Sequence, residues 1–95
     1  MQFEWDEAKA QANLRKHGIR FEVAAEVFFD PFAILEQDRI EHGEYRWRTI
    51  GMVNGHMLLV VANVPREEEG MEIIRIISAR RADRQEKQRY EWENR

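Results

Sequence analysis

Arginine stands in this chain where its neighbours call for something apolar. Arg75 interrupts the run Met71-Glu72-Ile73-Ile74-Arg75-Ile76-Ile77, which otherwise suits a strand covered on both faces. Burying a guanidinium without a partner is costly, so Arg75 must either pair with a carboxylate or open on a cleft. An ion pair with Glu44 or another acid and a ligand-facing role both satisfy that demand. Arg80 closes the same strand beside the start of the next helix, a place suited to holding an anionic substrate. On the run Glu44–Val53, alternation puts Arg46 and Arg48 on one face together with Glu44. If that face meets Arg75, several guanidiniums gather near one carboxylate.

Such a set suits RNA cleavage without a metal. That reaction needs a 2′-hydroxyl deprotonated, the charge of a crowded phosphorane neutralised and the leaving 5′-oxygen protonated. Arginines meet the second need, and a carboxylate, histidine or tyrosine can meet the others. Tyr45, Trp47, Tyr90 and Trp92 offer surfaces for stacking unpaired bases, with core packing the competing role for each. The residues alone are compatible with RNA cleavage and point no further.

Other chemistries find less support. His17, His42 and His56 fall at a helix end, a loop and a hairpin, without a ligand spacing between any two, so no metal site is expected. His17 has one favourable feature, a cation's position at a helix C-terminus. Cysteine is absent, which removes disulfides, thiol nucleophiles and thiolate metal sites. Ser78 and Thr49 lack a glycine-flanked elbow, and the glycines are scattered singly, with no phosphate-cradling loop. No cofactor is expected.

The elements that must position these side chains follow from patterning. Ninety-five residues, 43% hydrophobic and 11% aromatic, make one domain over residues 1–95 with a true core. Asp6 caps a helix that stops at Gly18, and Phe21 to Phe28 reads as a second, shorter helix. Asp30-Pro31 ends it. Four strands are expected: Ala33–Glu36, Glu44–Val53, His56–Val64 after the Asn54-Gly55 turn, and Met71 to about Ala79. Pro65 to Gly70 reads as a charged loop, and Asp83 caps a C-terminal helix through Glu86 and Tyr90. The fold class is α+β, an antiparallel four-stranded sheet flanked by two N-terminal helices and one C-terminal helix. Net charge is −3, which opposes nucleic-acid binding by bulk charge, but Arg75, Arg80, Arg81, Arg84, Lys87 and Arg89 concentrate late in the chain. The first residues carry no basic-then-apolar pattern of a signal peptide, and Met57–Ala62 is too short to span a bilayer; a cytoplasmic protein is expected.

Several short motifs together resemble the BrnT toxins. They are Phe3-Glu4-Trp5-Asp6 with Lys9 and Asn13, then Lys16-His17-Gly18, Phe21 and Ala24, and Phe28-Phe29-Asp30-Pro31. Gly43-Glu44, Arg46-Trp47, Gly51 and Arg75-Ile76-Ile77-Ser78-Ala79-Arg80 with Glu86 and Tyr90 complete the pattern over nearly the whole chain. The resemblance implies a RelE-like fold and the toxin half of a type II toxin–antitoxin pair. It also implies a ribonuclease that halts translation without a metal cofactor. The implied partner is a BrnA-like ribbon-helix-helix antitoxin, joined in a heterotetramer, with RNA as substrate and operator DNA reached only through the antitoxin. Carried onto this sequence, Glu44, Arg46, Arg75 and Arg80 are the catalytic candidates. Lys16, His17, Arg48 and Arg81 are the RNA-binding ones.

Overall fold

A short extended segment, β1 (Gln2–Glu4), leads into Asp6, whose carboxylate accepts from the Lys9 amide and starts α1 (Glu7–His17). Gly18 ends α1 in the left-handed conformation at φ 71°. Ile19 and Phe21 turn inward, and α2 (Phe21–Ala24) tightens into a 3-10 stretch over Ala25–Phe29. The computed structural model describes residues 1–95. The remaining elements are β2 (Ile34–Glu41), β3 (Glu44–Val53), β4 (Met57–Glu68), β5 (Met71–Arg81) and α3 (Arg84–Glu93).

The strands form one five-stranded sheet in the order β1-β5-β4-β3-β2. Two expectations are corrected here. The sheet has five strands, not four, and it is mixed, because β1 pairs parallel to β5. Three residues are too few to show alternation, and their pairing partner lies some seventy positions away, so no local pattern marks β1 as a strand. The segment Pro65–Gly70 is also mostly strand: β4 continues through Glu68, and only Glu69-Gly70, both at positive φ, make the turn. β2 likewise runs on to Glu41, reaching a His42-Gly43 turn of the same positive-φ kind.

Alternation along the strands divides the core in two. On one face Leu59, Val61, Ile74, Ile76 and Ala79 pack under α1 and α2 with Phe21, Ala24 and Val27. Val27 closes so tightly on Gly51 that a Cβ there would stand 2.9 Å from the Val27 backbone oxygen, which is why glycine occupies the middle of β3. On the other face Ile50, Leu58 and Val60 receive Tyr90 of α3. Burial raises the Tyr90 phenol to about 12, with help from Asp30, which accepts its hydroxyl at 2.6 Å. Asp30 also accepts the Met52 and Phe32 amides, so one carboxylate joins the corner before β2 to β3 and α3.

Beyond the reach of β1, the outer edge of the strand carrying Arg75 and Arg80 is held at one buried residue. Past Arg75, β5 has no β1 alongside it, and Asn13 of α1 takes over: its amide donates to Ala79 O at 2.9 Å, and its oxygen accepts the Ala79 amide at 3.0 Å. It also donates to Ile19 O at 3.0 Å. One side chain thus replaces a strand's pairing at one residue. Asn13→Ala leaves both buried Ala79 groups unpaired, and the expected loss is roughly 2–4 kcal/mol of unfolding free energy. Urea denaturation measures it; a loss below about 0.5 kcal/mol would show the clasp to be dispensable.

Candidate functional site: an arginine-lined sheet face

Register decides which arginines meet. Arg75 pairs across to Val64 and Arg80 to Val60, two β4 residues of the same parity, so both arginines project from one face. The five-residue separation of Arg75 and Arg80 would put them on opposite faces of a regular strand. A bulge reconciles the two facts: Ser78 pairs with Ala62 and Ile76 with Asn63, leaving Ile77 as the extra residue. Arg46 and Arg48 lie on this face too, since Arg48 is opposite Ala62 and Ile50 opposite Val60.

Two adjoining hollows open on the face, with Arg46 in the wall of both. One, about 70 Å³, is lined by Lys9, Glu41, His42, Glu44, Arg46 and Arg75 with Val64 and Ile77. The other, about 210 Å³, has Arg39, Arg46, Arg48, Ser78, Arg80 and Asp38 around Val60 and Ala62. Asp38 faces it by alternation from Glu36, and Arg39 joins it because β2 carries its own extra residue between Gln37 and Ile40.

Each guanidinium is matched by a carboxylate. Arg75 donates to Glu44 at 2.5 Å, Arg46 to Glu41 at 2.5 Å and Arg48 to Glu36 at 2.8 Å. Glu36 also lies 2.8 Å from Arg89 of α3, though that Arg89 nitrogen is not aligned to donate. Arg80 grips Glu86 with two parallel bonds of 2.8 and 2.9 Å, and Glu86 completes the capping box of α3 by accepting the Asp83 amide. These bonds from Arg80, together with the Asp83 amide, outweigh burial and hold the Glu86 carboxyl down to about 2. The hydrogen bond from Arg46 likewise holds Glu41 below the usual carboxylate range.

The matching is incomplete at three buried nitrogens, one of them the Arg89 nitrogen beside Glu36. Arg46 Nε and Arg48 Nε are buried and have no acceptor. Buried donors without partners are uncommon, and because both are shielded from solvent an outside acceptor reaches them only if the ion pairs of Arg46 and Arg48 shift. A non-bridging phosphate oxygen is such an acceptor, and a phosphodiester entering between the two hollows meets guanidiniums on several sides.

The catalytic candidates Glu44, Arg46, Arg75 and Arg80 therefore share one face, and Arg48 joins them. Lys16, His17 and Arg81 line neither hollow, and Arg81 alternates to the side opposite Arg80. Of the aromatics, Tyr90 is core, Trp47 lines the other face of the sheet, and Tyr45 and Trp92 are exposed. Sequence reasoning missed His42, Glu36 and Glu41. The signal for His42 was present in His42-Gly43, a two-residue turn between alternating runs that brings the imidazole to the mouth beside Glu44. Nothing in the sequence singles out Glu36 and Glu41 among so many acids.

Comparison with known proteins adds an independent line. Residues 5–86 match the family described as the ribonuclease toxin, BrnT, of type II toxin–antitoxin systems. The crystal structure of the Brucella abortus ribonuclease toxin, BrnT, superimposes with a TM-score of 0.70 at 30% sequence identity, covering 88% of this chain and 99% of that one. Curated protein sequences give no match.

The Arg80–Glu86 pair makes a prediction about acid stability. A carboxyl depressed from 4.5 to about 2 stabilises the fold fully above its unfolded value, and that stabilisation is lost as pH falls from about 4.5 towards 2. Glu86→Gln should remove on the order of 2 kcal/mol at neutral pH. It should also flatten the fall in melting temperature between pH 4.5 and 2. An unchanged acid profile in the variant would show the pair to be energetically idle.

Proposed function

From the premise that the chain belongs to the BrnT family of ribonuclease toxins of type II toxin–antitoxin systems, we propose that its arginine-lined face cuts RNA internally and without a metal. The observation that carries the proposal is the convergence of Arg46, Arg48, Arg75 and Arg80 on one face. The 2′-hydroxyl gives up its proton and its oxygen bonds to phosphorus. The bond from phosphorus to the 5′-oxygen breaks, and that oxygen takes a proton. The products are a 2′,3′-cyclic phosphate and a 5′-hydroxyl end. Arg46, Arg48 and Arg80 neutralise the phosphorane, with Arg75 closing the first hollow. Glu44 and His42, both lining that hollow, are the groups placed to move the protons. Lys16, His17 and Arg81 line neither hollow and are assigned contacts with flanking nucleotides.

The wider role follows the same premise. Cutting RNA stops translation in the cytoplasm, and an antitoxin of ribbon-helix-helix type, encoded in the same operon, restrains the toxin in a heterotetramer. Operator DNA is reached only through that antitoxin. A RelE-like kinship belongs to this reading, since it too places cationic side chains on a sheet. A second reading is a weakly catalytic binding module. The observation favouring it is that each arginine of the face already has a carboxylate, in a chain of net charge −3.

Three results separate the readings. The purified chain should cleave single-stranded RNA equally well with and without EDTA. Replacing the scissile ribose with 2′-deoxyribose should abolish the cut. Arg75→Ala removes an exposed ion pair of little structural worth. It should lower the cleavage rate by about 10²-fold with the melting temperature essentially unchanged. Full cleavage by folded Arg75→Ala would remove this arginine from the site, and no cleavage by the unaltered chain would favour the binding module.

A further inference from the structure

The opposite face of the sheet carries a second feature that RNA chemistry does not use. Beyond the half covered by α1 and α2, an apolar hollow of about 430 Å³ is walled by Leu35, Trp47, Pro65 and Ile74, with Phe28 and Met1 at its margins. Leu35 is 66% exposed and Met1 54%, far more than large apolar side chains beside a core usually are. Leu35 is next to Glu36 on β2 and so points away from the arginine face. Its strand is the edge of the sheet, with the outer row of backbone groups unpaired.

The hollow ends on an unbalanced charge. Glu67 and Glu72 are direct cross-strand partners, two residues beyond Pro65 and Ile74 and on the same face. Like charges directly opposite in a sheet destabilise it. Arg66, between them and Pro65 in the chain, is taken by Glu4 and Glu68, and neither Glu67 nor Glu72 joins an ion pair. The other face of the same sheet matches nearly every charge with its opposite. Here two acids are left facing each other at the mouth of an apolar trough.

We propose that this trough is the docking surface for the antitoxin. The occupant is an apolar segment of that protein, with lysine or arginine at the end that reaches Glu67 and Glu72. This inference rests on the toxin–antitoxin reading and deepens it by assigning the partner a surface separate from the arginines. Apolar side chains of the segment cover Leu35, Trp47, Pro65 and Ile74. Its cation relieves the Glu67–Glu72 repulsion, a match that favours a basic segment over an acidic one or over a second copy of this chain, whose net charge is −3.

Titration calorimetry of the full chain with the purified antitoxin of its own operon tests the assignment. Leu35→Glu, at an exposed position, should weaken binding at least 10-fold and leave RNA cleavage unchanged. Glu67→Lys combined with Glu72→Lys should weaken it similarly and reduce its sensitivity to salt, without lowering the melting temperature. Arg75→Ala should bind as the unaltered chain does. Equal binding by the two trough variants, with weaker binding by Arg75→Ala, would move the antitoxin to the arginine face and overturn the proposal. A dimer of the chain alone that Leu35→Glu dissociates would give the trough to a second copy and also overturn it. If the unaltered chain binds no antitoxin, the toxin–antitoxin reading falls and the surface with it; if it binds and the variants bind equally, the surface alone falls.

Discussion

A guanidinium on a sheet face has to be matched by a carboxylate or wetted by solvent, and the architecture of this chain follows from gathering several in one place. Glu36, Glu41, Glu44 and Glu86 are interleaved with Arg46, Arg48, Arg75, Arg80 and Arg89 from β2, β3, β5 and α3. These four acids nearly neutralise the five arginines, so the face is no bare positive patch in a chain of net charge −3. The acids hold the cations at fixed spacing when no substrate is there. On the proposed function, a phosphodiester would have to exchange with carboxylates that already occupy the arginines. Binding of this kind trades raw affinity for geometry, because the guanidiniums are preorganised and the gain is the difference between two sets of ion pairs.

Two backbone devices keep the set in register. The bulge at Ile77 turns Arg80 onto the face of Arg75, and Asn13 holds the strand at Ala79 immediately before Arg80. Glu86 then serves two elements at once, gripping Arg80 while capping α3, so the helix and the arginine are placed by the same carboxylate. The cationic face and the second core cluster around Tyr90 are therefore parts of one construction. Displacing α3 would loosen Arg80, and losing Arg80 would leave the Glu86 carboxylate without its cation while Asp83 still caps α3.

Much of this is legible in the amino-acid sequence. The capping residues Asp6 and Asp83, the stop at Gly18 and the run Glu44–Val53 stand where local patterning puts them, because each is governed by neighbours in sequence. The pairing of Arg75 with Glu44 was one of two open alternatives, and cost of burial alone raised it. What patterning could not reach was non-local. β1 is three residues whose only reason to be a strand is Ile73–Arg75. The bulge at Ile77 has no sequence mark, since isoleucine suits a regular strand equally well. Arg75 and Arg80 could be assigned to one site from the sequence only by overlooking alternation, and it is the bulge that brings them together. The extension of β4 through Glu68 was hidden by Pro65 and the charge run, which suit an exposed hairpin as readily as a loop.

The most direct test is whether a phosphodiester displaces the carboxylates from Arg46 and Arg48. Nitrogen-15 NMR of the arginine Nε–H groups, recorded while a non-cleavable 2′-deoxy oligonucleotide is added, reports this residue by residue. The expected result is that the Arg46 and Arg48 Nε–H signals move most as their ion pairs with Glu41 and Glu36 give way to phosphate. Unmoved Arg46 and Arg48 signals at saturating oligonucleotide, with the shifts gathered elsewhere on the surface, would contradict an arginine face that holds RNA.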